Sequence, residues 1–152
     1  MANINDILVQ ASELRAGIDR LLRSSTYRQY DDLSGLEINR QDSEQLFLLD
    51  ELRGIMEKLD NVEEAIRYLE LPVDEISHLH KNDSDRYETA QGQVFCCGHA
   101  IEALITDDRH DVPYWTRTRV EHDGAGYYLV GHRDTSLNGL VIRTRKNKIS
   151  IY

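Results

Sequence analysis

The most reactive side chains in this sequence belong to two adjacent cysteines, Cys96 and Cys97. With His99 two residues further on and His78 and His80 upstream, they supply donors of the kind that bind zinc. The sequence lacks the second cysteine pair of a typical zinc site, and adjacent residues on a strand point to opposite faces. The same cysteines could act as nucleophiles, but nothing local activates a thiol or builds an oxyanion hole. We therefore predict no metal, no cofactor and no catalytic residue, with one cysteine buried and one partly exposed.

Arginines form a second group with potential chemistry, on two predicted strands over residues 114–122 and 140–145. Because side chains alternate along a strand, each strand displays a pair of arginines on one face. Arginines beside a tryptophan can stack on or pair with a nucleic acid or an acidic partner. The other interpretation is that they pair with Glu102 and Glu121 or with the acidic helices. The candidate nucleic-acid-binding residues are Trp115, Arg117, Arg119, Arg143 and Arg145.

Carboxylates form the third group, and they crowd the outward face of a helix predicted over residues 42–71. The simpler interpretation is a solvated helix face. The alternative is a row of carboxylates that imitates DNA phosphates, because one helical turn rises by about 5.4 Å. The residues predicted to bind a protein partner are Asp50, Glu51, Glu57, Asp60, Glu63, Glu64 and Glu70.

Two amphipathic helices must position these carboxylates, and both have recognisable ends. Asn3 or Asn5 can cap the first helix. Asp42 can cap the second, with Gln45 completing a capping box. Pro72 ends the second helix, because the residue before a proline avoids the helical conformation.

In each helix apolar residues recur at alternating steps of three and four, which is a heptad seam. The first seam consists of Ile4, Ile7, Ala11, Leu14, Ile18 and Leu21. The second consists of Leu48, Leu52, Ile55, Leu59, Val62, Ile66 and Leu69. The seams most simply pack on each other as an antiparallel, coiled-coil-like hairpin, joined by residues 24–41 with a helical turn at 33–38. The alternative is that the second helix pairs with its copy in another chain, as a homodimer.

The C-terminal half is predicted to form a small antiparallel sheet or half-barrel. Residues 73–81 resemble a short helix or turn, and a polar linker over 82–85 follows. Hairpin turns are expected at 123–126 and at 138–139. The predicted strands span residues 87–90, 93–96, 100–106, 114–122, 127–131, 140–145 and 149–152. The fold class is therefore α+β, with an acidic helical hairpin over 1–81 and a β domain over 82–152.

Charge is divided unevenly along the sequence. Residues 1–91 carry 20 Asp and Glu against 10 Lys and Arg, whereas residues 92–152 carry 7 against 8. Such a split indicates a binding partner, and the overall charge of −9 opposes general nucleic-acid binding. No apolar run approaches the roughly 18 residues of a membrane helix, and a signal peptide is lacking. We therefore expect a cytoplasmic protein that does not associate with membranes.

Four short motifs mark the strand half: QVFCCGHAIE at 93–102, YWTRTRVE at 114–121, GYYL at 126–129 and GLVIR at 139–143. Over about residues 86–146 the chain resembles a small uncharacterised domain family of phages and conjugative elements in Gram-positive bacteria. That family has no established activity, so the resemblance implies a setting, namely mobile DNA in a bacterial host, and no catalytic residue.

The leading hypothesis is a non-enzymatic inhibitor that binds a protein partner through its acidic surface. In a mobile-element setting the natural target is a host defence nuclease. An anti-CRISPR-like protein could occupy the basic nucleic-acid channel of such an enzyme as a DNA mimic. The alternative is a nucleic-acid-binding accessory or regulatory protein that uses the arginines of the β domain.

Overall fold

Side-chain capping defines the start of the first helix. In a computed structural model, which describes residues 1–95 and 98–146, helix α1 spans Ile4–Ser24. The backbone N–H of Asp6 donates to the side-chain oxygen of Asn3 (2.9 Å), and the N–H of Asn3 donates to the Asp6 carboxylate (3.3 Å). This reciprocal pair satisfies N–H groups that a helix start leaves without partners, so Asn3 rather than Asn5 is the cap.

Helix α2 spans Ser43–Glu70 and begins at the predicted cap. The N–H of Glu44 donates to Asp42 Oδ1 (3.0 Å). The side chain of Gln45, however, accepts from the N–H of Asn39 (2.7 Å) and not from that of Asp42. Gln45 therefore ties the preceding loop to the helix instead of closing a capping box. Within the described residues, neither helix combines the length and the apolar character needed to cross a membrane.

The two helices pack antiparallel, as predicted. Arg15 in α1 lies 2.8 Å from Glu70 at the end of α2, whereas Leu22 shares a buried cluster with Met56, two heptads earlier in α2. The connection between the helices contributes Leu33, which is fully buried in that cluster. The connection consists of turns, so the helical turn predicted at 33–38 is wrong.

The helices meet on one flank of each heptad seam and not along its whole width, which refines the sequence prediction. Of the seam residues, Ile18 and Leu59 pack against the buried cluster. The residues that point into the helix–helix contact directly follow seam residues: they are Leu22, Leu49, Met56 and Glu63. Because successive helical residues are turned by about 100°, the contact uses one flank of each apolar stripe. A two-helix contact cannot cover a stripe this wide. The exposed seam residues are Ile4, Ile7, Leu14, Leu21, Leu48, Leu52, Ile55, Val62 and Leu69.

The second part of the chain forms two antiparallel sheets, which confirms the α+β class. Its strands are β1 (Val73–His78), β2 (His80–Lys81), β3 (Tyr87–Glu88), β4 (Val94–Phe95), β5 (His99–Ile105), β6 (Tyr114–His122), β7 (Tyr127–Leu129) and β8 (Val141–Arg145). Strands β1-β8-β5-β6-β7 form a five-stranded sheet in that order, and β2-β3-β4 form a three-stranded sheet. The strand predicted over 149–152 lies outside the described residues.

The chain divides into two compact units, a helical unit over Met1–Glu70 and a strand unit over Leu71–Tyr152. The sequence analysis places the boundary after residue 81, because it assigns residues 73–81 to a short helix or turn. Those residues form β1 and β2 instead of a short helix or turn. Strand β1 is held by pairing with β8, an interaction that a local pattern does not reveal.

The alternation predicted for the strands is confirmed. In β6, Val120 is fully buried, whereas the side chain of Arg119 is 57% exposed. The turn after β6 also forms as predicted, because Asp123 Oδ1 accepts from the N–H of Ala125 (2.9 Å) and Gly124 has a φ of 91°. The buried core of the unit consists of Leu79, Phe95, Ile101, Ala103, Ile105, Val120, Leu129, Leu137 and Ile142.

Candidate functional site

Glu63, predicted on the outward acidic face of α2, is buried, which corrects that placement. Its side chain is only 3% exposed, and its oxygens lie 3.0–3.4 Å from guanidinium nitrogens of Arg15, Arg28 and Arg67. Three cations around one carboxylate offset the cost of removing its charge from water. Glu63 therefore links both helices to their connection, and this fold does not present it to a partner.

Two other predicted carboxylates also take part in ion pairs within the hairpin. Glu70 Oε2 lies 2.8 Å from Arg15 Nε, and Asp60 Oδ1 lies 3.5 Å from Arg28 Nε. Arg28 also donates to Asp19 of α1, and this hydrogen bond holds the pKa of Asp19 below its ordinary value. The cleft between these groups, about 430 Å³, is lined by four arginines and three carboxylates. Its charges largely neutralise one another.

Four of the seven predicted partner-binding carboxylates remain exposed on α2. They are Asp50, Glu51, Glu57 and Glu64. Asp50, Glu57 and Glu64 recur every seven residues, so they form one row with a spacing of about 10 Å along the helix axis. We call these three residues the acidic row.

The connection between the helices adds two carboxylates beside the acidic row. Asp31 and Asp32 line a cleft of about 480 Å³ together with Glu57. Arg53, at the same cleft, donates to the backbone oxygen of Asp32 (3.3 Å) and offsets part of the charge. Burial raises the pKa of Tyr27 in this cleft, and the neighbouring carboxylates, Glu57 first, raise it further. The local electrostatic potential is therefore negative, as a surface for a basic partner requires.

The five candidate nucleic-acid-binding residues lie on one face of the five-stranded sheet. Alternation predicted the pair within each strand, and the strand register brings the two pairs to the same face. Glu102 of β5 pairs with Arg117 of β6 on one side and with Arg143 of β8 on the other. Directly paired residues share a sheet face. We call this set the arginine face, and its members are Trp115, Arg117, Arg119, Arg143 and Arg145.

A buried carboxylate organises the arginine face. Glu102 is 4% exposed and accepts from Arg143 Nε (2.7 Å) and Arg145 Nε (2.5 Å). The Arg143 guanidinium also lies over the Trp115 ring, 4.4 Å from its centre. Arg145 donates a further hydrogen bond to the backbone oxygen of Leu71 (2.8 Å). Pairing within the chain, the second interpretation of these arginines, therefore accounts for Arg143 and Arg145.

The outer part of the arginine face is more exposed and contains residues that the sequence did not single out. Arg117 and Arg119 are exposed, and Arg119 lies 3.4 Å from Glu121. The Arg133 guanidinium lies 3.7 Å from the centre of the Tyr128 ring. The β6–β7 turn could have placed Tyr128, because it sets that residue opposite Glu121. Arg133 lies in a loop whose path no local pattern determines.

The potential zinc donors do not come together in the part of the chain that the structure describes. Among residues 1–95 and 98–146, no three His, Cys, Asp or Glu side chains are arranged to hold a metal ion. Cys96 and Cys97 lie outside the described residues. His80 Nε2 instead lies 3.0 Å from Glu88 Oε1, a contact between β2 and β3.

Comparison with known protein families finds a match within the strand unit only. The family model described as "Domain of unknown function (DUF5348)" matches residues 78–144, from the end of β1 to β8. The sequence resemblance to an uncharacterised domain family is thus confirmed, and the match covers a segment of the chain. No curated protein and no solved structure matches the chain. The acidic row lies outside the matched segment, whereas the arginine face lies almost wholly within it.

Proposed function

We propose that this protein is a non-enzymatic binding protein whose acidic helical unit attaches to a basic surface of another protein. The observation that carries the proposal is the exposure of all three residues of the acidic row, whereas Glu63 is buried among arginines of the hairpin. Asp50 also lies 3.4 Å from Arg53 on the same helix, and both side chains remain exposed. Residues 1–70 carry 15 Asp and Glu against 8 Lys and Arg, so the unit keeps a net charge of −7. A field of this sign favours fast association with a basic partner.

The partner class that best suits this surface is a nucleic-acid-binding nuclease of bacterial defence, such as a CRISPR effector. These enzymes hold their guide and target in a positively charged channel. The acidic row carries about one charge per 10 Å, whereas duplex DNA carries about one per 1.7 Å of axis. The proposed inhibition therefore rests on charge complementarity at the channel and not on an atom-by-atom copy of phosphate positions. The mobile-element setting implied by the sequence resemblance supports this partner class.

The test is binding to purified CRISPR effector nucleases, with and without guide RNA and target DNA, measured by biolayer interferometry. The informative variant neutralises the acidic row through Asp50→Asn, Glu57→Gln and Glu64→Gln. We expect it to weaken binding by at least about tenfold, with a smaller difference at high salt. Glu63 stays unchanged, because its replacement would disturb the helix packing.

A matched control removes the same amount of charge elsewhere, at exposed positions Glu13, Glu37 and Asp83. If net charge alone drives association, both triple variants lose affinity equally, and the acidic row is not the site. If no nuclease binds the native protein, the proposed partner class is wrong.

A second candidate function is nucleic-acid binding by the strand unit. It is favoured by the gathering of Trp115, Arg117 and Arg119 on one sheet face, and it is weakened by the binding of Arg143 and Arg145 to Glu102. A gel-shift titration across salt concentrations tests it. Salt-sensitive DNA or RNA binding that disappears in the Arg117→Gln, Arg119→Gln variant would favour this candidate over the first.

A further inference from the structure

The exposed seam residues form one continuous apolar face on the helical unit. Seven of these residues, all within the central part of the hairpin, have aliphatic side chains between 37% and 65% exposed. We call this set the seam face, and its members are Ile7, Leu14, Leu21, Leu48, Leu52, Ile55 and Val62.

Residues of both helices contribute to the same side of the hairpin. On α2, Ile55 directly precedes Met56, which points at α1. On α1, Leu21 directly precedes Leu22, which points at α2. The side chain of the preceding residue points about 100° away from that of the inward residue. Because the two helices run antiparallel, this rotation directs Leu21 and Ile55 to the same side of the hairpin. The acidic row instead follows the inward residues by one position, so it lies on the opposite side.

We propose that the seam face binds the seam face of a second copy of this chain, which joins two hairpins into a four-helix bundle. The heptad spacing on both helices is the pattern by which helices of a bundle pack. A face that is apolar over both helices is complementary to itself under a two-fold axis. The acidic rows would stay uncovered on the two outer sides of the bundle, so the proposal does not depend on the function proposed above.

Two further observations favour a second copy over a charged partner. The α1 residues that border the face, Gln10 and Gly17, carry no charge, and their α2 counterparts, Glu51 and Lys58, carry opposite charges, so an apolar centre is edged by a polar rim without net charge. Within residues 1–70, all of which the structure describes, the buried apolar cluster has only four members: Leu22, Leu33, Leu49 and Met56. Small units with so few buried side chains commonly gain stability by association.

The exposed area is also sufficient. An aliphatic side chain of this size exposes on the order of 100 Å². The seven side chains, at about half exposure, therefore offer roughly 350 Å² per hairpin. A standard interface takes about 800 Å² from each partner, of which a little over half is apolar. The seam face thus supplies most of the apolar area that a stable dimer needs.

The test is the mass of the full chain in solution, measured by sedimentation velocity over a wide range of concentrations. We expect twice the chain mass of 17.6 kDa. The informative variant is Leu14→Glu, because this side chain is already 65% exposed and its replacement spares the hairpin core. The matched control is Val9→Glu, an exposed (57%) aliphatic residue of α1 that is turned away from the seam face.

Burying a carboxylate without a partner should weaken the dimer by about a hundredfold or more in Leu14→Glu, with Val9→Glu unaffected. Circular dichroism must show native helix content in both variants. A native protein that stays monomeric at every concentration would overturn the proposal. So would a dimer that survives Leu14→Glu, or one that both substitutions weaken equally.

Discussion

Replacing Glu102 with glutamine tests whether one buried carboxylate holds the arginine face together. The native side chain is 6% exposed, and it binds Arg143 and Arg145, whose side chains are 20% and 14% exposed. Glutamine keeps the shape but removes the negative charge, which leaves two guanidinium groups with little access to water. The two arginines would then repel each other without a compensating anion.

The expected loss is large for a single polar substitution. Removing one partner from a buried ion pair costs about 3–5 kcal/mol. Because Arg143 keeps a fifth of its exposure and can regain some hydration, we expect the lower end, about 3 kcal/mol in the free energy of unfolding of the strand unit. The assay is urea unfolding followed by tryptophan fluorescence. The chain has a single tryptophan, Trp115, and it lies directly beneath Arg143, so the signal reports on this network.

The matched control is Glu121→Gln on the same sheet face. Glu121 is 28% exposed and its partner Arg119 is 57% exposed, so this pair should contribute only about 0.5 kcal/mol. If Glu102→Gln destabilises the strand unit by less than about 1 kcal/mol, or by no more than the control, the network does not stabilise the face as argued.

Three further predictions concern the ion pairs and the core. Glu63→Gln should lower the free energy of unfolding of the helical unit by about 2 kcal/mol, measured by urea unfolding followed by circular dichroism. The loss is smaller than for Glu102 because the arginine partners of Glu63 are only partly buried. An equal loss in Glu57→Gln would show that the ion pairs of Glu63 do not stabilise the hairpin. Hydrogen bonds from the N–H of Ala125 and from Arg133 lower the pKa of Asp123 to about 2, so its stabilising effect should be complete above about pH 4 and be lost as the pH falls toward 2. The melting-temperature difference between native protein and Asp123→Asn should narrow over that range, and a constant difference would contradict the assignment. Ile142→Val should lower the unfolding free energy by about 0.5–1.5 kcal/mol, and a neutral result would mean that the fully buried side chain is loosely packed.

The sequence predicted best the elements that are determined by interactions between residues close together in the chain. The cap at Asn3 depends on a residue three positions away, and strand β6 shows its alternation within nine residues. The turn at Asp123 depends on hydrogen bonds that span two or three residues. Each pattern lies within a short stretch of chain, so it can be recognised without knowing what packs against it.

The pairing partners of the charged residues were less predictable. Alternation placed Arg143 and Arg145 on one face, and Glu102 was one of several carboxylates that could pair with them. For Glu63 the sequence indicated the wrong surface, since a charged residue among other carboxylates normally faces solvent. Its partner Arg28 lies 35 residues away in a connection without regular structure, so no spacing rule could join the two.

Local pattern alone specified the two helices, most of the strands, the acidic character of the helical unit and the arginine pair on each of β6 and β8. These properties follow from composition and periodicity. Long-range packing and pairing select which flank of each apolar stripe is buried, which carboxylates remain exposed, the strand at residues 73–78 and the sheet face that the two arginine pairs share. These outcomes depend on contacts between distant segments, because the rotation of one helix against another and the pairing of β1 with β8 are set by the sum of many long-range interactions. The acidic row and the seam face owe their exposure to that rotation.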